Sequence, residues 1–114
     1  MLLFVAACLA ERERPGPPRL TFTIDNISAL SSTHADTLAG SVRAEDPDGI
    51  DSVWVALDSV EKGEDGGFDL VFTSRWRFVV AAGRPQGARL PLTFRARDVA
   101  GFEAQRDTYV VVGP

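Results

Sequence analysis

The chain has 114 residues, 45% of them hydrophobic and 25% charged, the balance of one folded domain and not of a disordered or collagen-like chain. Its net charge of −4 argues against nucleic acid as a partner, because that partner needs a basic footprint. One Cys leaves no internal disulfide and no multi-Cys metal cluster, and one His removes most imidazole-based sites.

Residues 1–10 read MLLFVAACLA, and the composition then changes abruptly to ERERPGPPR. A run of ten is too short for a bilayer-spanning helix, which takes about 20 residues, but it matches the apolar part of a secretion signal. No Lys or Arg precedes Arg12, so the usual charged start is missing. The tetrad Val5-Ala6-Ala7-Cys8 resembles the lipobox of bacterial lipoprotein signals: a branched apolar residue, two small residues, then Cys. The resemblance implies cleavage before Cys8, acylation of its thiol and attachment to a membrane through that lipid anchor. Leu9 stands where an inner-membrane retention signal carries Asp, which implies outer-membrane sorting within the cell envelope. One acyl chain anchors marginally; the three that such lipoproteins carry suffice. The alternative is an ordinary Cys8 thiol in an N-terminal element, which the segment from Glu11 to Pro18 would have to end.

Residues 1–7 therefore read as a signal peptide truncated at its start, and 8–18 as a lipidated Cys with its tether. Pro15-Gly16-Pro17-Pro18 favours an extended, polyproline-like spacer that holds the domain off the bilayer. The folded part is residues 19–114.

From Arg19 onward the period is two. Leu20, Phe22 and Ile24 alternate with Thr21, Thr23 and Asp25, the pattern of a half-buried strand. Leu38, Gly40, Val42 and Ala44 predict a second strand; Val53, Val55 and Leu57 predict a third, with Trp54 on its other face. Glu61 to Gly67 reads as a loop, after which Phe68, Leu70 and Phe72 predict a fourth strand. Trp76, Phe78 and Val80 predict a fifth, and Leu90, Leu92, Phe94 and Ala96 a sixth. A long seventh runs from Phe102 to Val112. Turn signals separate these runs at Asp46-Pro47-Asp48-Gly49, Gly66-Gly67, Gly83 to Gly87 and Asp98-Val99-Ala100-Gly101. The expected fold is an all-β, seven-stranded antiparallel immunoglobulin-like β-sandwich without a disulfide.

Two segments carry a resemblance. Asp46 to Val53 is similar to the corner between the second and third strands of bacterial immunoglobulin-like domains. Leu92 to Gly101 is similar to their hairpin into the last strand, with its A-x-D-x-x-G pattern. The likeness spans roughly residues 19 to 112. It departs from antibody-type domains in lacking the paired cysteines, and so points to the broader surface-domain group related to fibronectin type III and cadherin-like sandwiches. That group implies adhesion, spacing or accessory roles, and no single function.

Glu45, Asp46, Asp48 and Asp51 put four carboxylates in seven residues, and Asp98 comes from the hairpin at or near the same end. Ca²⁺ takes six to eight oxygens, which makes Asp46, Asp48, Asp51 and Asp98 a candidate cation set. The same residues also suit a tight turn, in which Asp46 caps, Pro47 presets φ and Gly49 takes the positive angle. Trp54 on the outer face, beside Arg95 and Arg97, is a candidate contact surface for an envelope protein or a glycan. The counter-reading has the arginine stems covering the ring. Ser31, His34 and Asp36 lie together in a polar stretch, but a triad is assembled from separated elements, and this one reads as a loop. The expectation is a non-catalytic, lipid-anchored surface module of a bacterium. A carbohydrate-binding accessory domain and a calcium-stabilised adhesion domain are the alternatives, and no other cofactor is implied.

Overall fold

The computed structural model describes residues 16–25 and 30–114. Seven strands follow in order: β1 (Arg19–Ile24), β2 (Asp36–Glu45), β3 (Ile50–Leu57), β4 (Val60–Asp65), β5 (Val71–Val80), β6 (Arg89–Asp98) and β7 (Glu103–Val111). They form one sheet in the order β1-β2-β5 and a second in the order β4-β3-β6-β7, with every strand pairing antiparallel. The result is a seven-stranded antiparallel β-sandwich of two open sheets, and the single Cys leaves it without an internal disulfide. Leu30 makes a parallel bridge to Val112, its amide donating to the Val111 carbonyl at 3.0 Å.

The inner faces are those the two-residue period marks. Leu38, Val42 and Ala44 of β2, and Leu90, Leu92, Phe94 and Ala96 of β6, are all buried. An aromatic row bridges the layers. Phe94 stacks on Phe22 at 4.2 Å between ring centroids and meets Trp76 edge-on at 5.5 Å. Trp76 in turn lies across Gly40, its register partner on β2.

The two open flanks of the sandwich are closed by cationic side chains whose stems lie along apolar surface. On one flank Lys62 sits over the Phe78 ring at 4.7 Å and donates to the Arg77 carbonyl. Beside it Ser74 Oγ donates to Glu64 at 2.7 Å. On the other, Arg106 lies over Phe22 and donates to the Leu20 carbonyl at 3.1 Å.

The sequence misplaces one strand. The stretch read as a loop, Glu61 to Gly67, contains β4, while Phe68 and Leu70 belong to a turn and Phe72 lies in a single ten-residue β5. The reason is that β4 is a sheet edge with all six residues exposed, so no burial alternation is written into it. Its charges are those an edge uses to resist pairing with another chain.

Candidate functional site at the loop end of the sandwich

Three loops meet where the chain enters the domain: the β2–β3 corner, the β4–β5 loop and the β6–β7 hairpin. The corner is an Asx turn, in which the Asp48 amide donates to Asp46 Oδ1 at 2.8 Å and the Gly49 amide to the Asp46 carbonyl at 3.0 Å. Gly49 has φ +94°, and a Cβ there would lie 2.7 Å from the Phe68 carbonyl oxygen, so glycine is required twice over. The hairpin is held by Asp98, whose Oδ1 accepts from the Phe102 amide at 2.8 Å. The Val99 amide donates to the Gly49 carbonyl at 3.0 Å and ties the hairpin to the corner. The β4–β5 loop is tied to the same corner by Phe68 N–H to Ile50 O (3.0 Å) and Asp46 N–H to Leu70 O (2.9 Å).

This arrangement gathers three of the four acids in the expected cation set. One carboxylate oxygen from each of Asp46, Asp48 and Asp98 lies within 4.8 Å of the others. Asp46 and Asp98 are 5% and 1% exposed, while Asp48 faces solvent. Asp51 is not in the group. It is the extra residue where the β3–β6 register shifts between Ile50 and Ser52, and this bulge breaks the facing that sequence adjacency implied. The Oδ2 of Asp98 is buried and accepts no hydrogen bond. Among the described residues none of the three acids makes an ion pair.

Burial pushes the Asp46 carboxyl above the ordinary carboxylate range; the Asp48 amide partly opposes this, and the adjacent Asp98 carboxyl adds to the rise. The folded state therefore holds this proton more tightly than the unfolded chain does. With chelator present, that contribution to stability is lost as pH rises through the folded-state value. Urea titrations from about pH 4 to pH 7 are expected to show that fall, and Asp46→Asn to flatten it. An unchanged slope in Asp46→Asn would assign the dependence to other groups.

Around the acids stand exposed apolar side chains that the strand reading hid. Phe68, Leu70 and Val71 come from the β4–β5 segment, and Val99 and Phe102 from the hairpin, each 40–66% exposed. Phe68 is also held at φ +61°, a left-handed conformation that bulky side chains rarely adopt. Asp58, at φ +54° in the β3–β4 turn, is a residue that tolerates it. Phe68→Asn is expected to raise stability by about 0.5–1 kcal/mol by easing this strain, read as a higher urea midpoint. A lower midpoint would mean that the phenyl ring packs usefully despite its exposure. The start of the described chain joins the site as well: Gly16, Pro17 and Arg19 border an open cleft of about 530 Å³ with Asp46, Asp48 and Leu70.

The outer face of the four-stranded sheet holds Trp54 and Arg95 as opposite partners, with Arg97 two residues nearer the hairpin, opposite Ser52 and Glu103. Trp54 is half-buried. Its indole lies over Gly63, where a Cβ would come within 2.8 Å, and the Arg95 guanidinium sits 4.3 Å from its ring centroid. Arg95 also approaches Glu61 at 3.8 Å and Glu103 at 3.6 Å. The ring is thus already stacked by its own sheet. His34 Nδ1 lies 3.0 Å from Ser31 Oγ, but Asp36 accepts from the backbone amides of Ser31 and Thr37, so among the described residues no carboxylate orients the imidazole. Cys8 lies outside the described residues.

No protein-family model, curated protein or solved structure matches this chain.

Proposed function

We propose that this chain is a non-catalytic interaction module of a bacterial cell envelope, attached to a membrane by lipid at Cys8 and touching its partner through the loop end. The supporting observation is the exposure of Phe68, Leu70, Val99 and Phe102 on the two loops that hydrogen bonds tie to the β2–β3 corner. Exposed apolar groups that cluster, and do not scatter, mark interaction surfaces. The strain at Phe68 argues the same way, since a costly backbone conformation that displays an aromatic ring gains nothing for the core. A lipid anchor at Cys8, eleven residues before β1, makes this the anchor-side end of the sandwich, and the partner proposed for it is membrane-proximal. The Trp54 face is the weaker candidate, because Arg95 already occupies its ring.

Two measurements test the reading. The full chain, produced in a Gram-negative host, is expected in the membrane fraction with a mass beginning at an acylated Cys8, and Cys8→Ser to be soluble and uncut. A photo-reactive residue at Phe68 is expected to give a discrete cross-linked envelope species that one at Thr73, on the three-stranded sheet, does not. A soluble, uncut wild type overturns the anchor; equal cross-linking at both positions overturns the loop-end contact.

A further inference from the structure

The three carboxylates of the loop end carry a consequence that does not depend on the anchor. Asp46 and Asp98 are both more than nine-tenths buried, and Asp98 keeps Oδ2 without a partner in a structure that satisfies its other oxygen with the Phe102 amide. Burying a carboxylate is costly unless a cation or hydrogen-bond donors compensate it. Here no Lys or Arg among the described residues reaches any of the three acids. The donors are all oxygen, which selects a hard cation over zinc or copper. The acids come from two loops already linked by the Val99–Gly49 hydrogen bond, so one ion would not have to draw distant segments together. The open cleft beside Asp46 and Asp48 leaves room for the waters that complete a coordination shell.

We infer that Asp46, Asp48 and Asp98 form a calcium-binding site that clamps the β2–β3 corner to the β6–β7 hairpin. Asp98 Oδ2 and Asp46 are the buried ligands, and Asp48 is the solvent-side ligand that closes over the ion. Asp51 takes no part. Occupancy would fix the platform from which Phe68, Val99 and Phe102 project.

The test uses the full chain, stripped with EGTA and then melted with CaCl₂, with MgCl₂, or with KCl at matched ionic strength. Calcium at about tenfold above Kd is expected to raise Tm by roughly 5 °C or more. Amide NMR signals of Gly49, Val99 and Phe102 should shift saturably in the same titration. Asp48→Ala should abolish both responses. Its side chain accepts no hydrogen bond from the described residues, so the fold does not depend on it. Asp98→Asn should weaken them too, and should it fail to fold, Asp48→Ala alone decides. Asp51→Ala should respond as wild type. The assignment is overturned if calcium does no more than KCl, if the shift survives Asp48→Ala, or if Asp51→Ala loses it. None of these results bears on the Phe68 cross-link, so the two readings fail separately.

Discussion

Phe94→Ala is expected to cost about 3–5 kcal/mol, a large part of the 5–15 kcal/mol that holds a domain of this size together. Phe94 is fully buried on β6 and touches both layers, stacking on Phe22 of β1 and meeting Trp76 of β5 edge-on. Removing the ring leaves a cavity that the sheets cannot fill, because each is held in register by its own hydrogen bonds. Two aromatic contacts are lost along with the buried area. The check is a urea denaturation followed by Trp fluorescence, with near-UV circular dichroism reporting the Trp76 environment. Phe94→Leu should retain most of the stability. Equal loss in both variants would mean that shape, and not volume, governs this position.

Gly40→Ala is the second large effect, and it acts by overfilling. A Cβ at Gly40 would stand 1.9 Å from the Thr23 carbonyl oxygen and 2.6 Å from Trp76 Cζ2. The carbonyl is backbone of the neighbouring β1 strand, and the indole is fixed by Phe94 and Phe78, so neither can yield cheaply. A loss of about 2–3 kcal/mol or more is expected, at or above the usual range for overpacking. Gly87→Ala is the control. It has nothing within 4 Å of a Cβ and only a positive φ of +86°, so its cost should be about 1 kcal/mol. Comparable losses at the two positions would show that backbone freedom, and not the Trp76 contact, is what Gly40 provides.

Much of the site was legible in the parity of the strands. Asp98 continues the inward series Leu90, Leu92, Phe94, Ala96, and Asp46 continues Leu38, Gly40, Val42, Ala44. Both acids are buried, as that parity demands. Asp51 defeated the same logic, because one extra residue at the β3 bulge resets which side each residue faces. The β4 edge carries no alternation, having no buried face to encode. Phe68 and Leu70 misled in the opposite direction. They have the parity of a strand but lie in a turn that the Gly49–Phe68 contact and the hydrogen bonds to Ile50 force outward.

The amino-acid sequence by itself determined the period of every strand but β4, the turns between them and the residues that face the core, because these follow from local backbone chemistry and alternation. The separation of Asp51 from the other three acids, the edge position of β4 and the exposure of Phe68 were decided only by the tertiary structure. Each depends on register and on hydrogen bonds between segments far apart in the chain, and no local pattern records them.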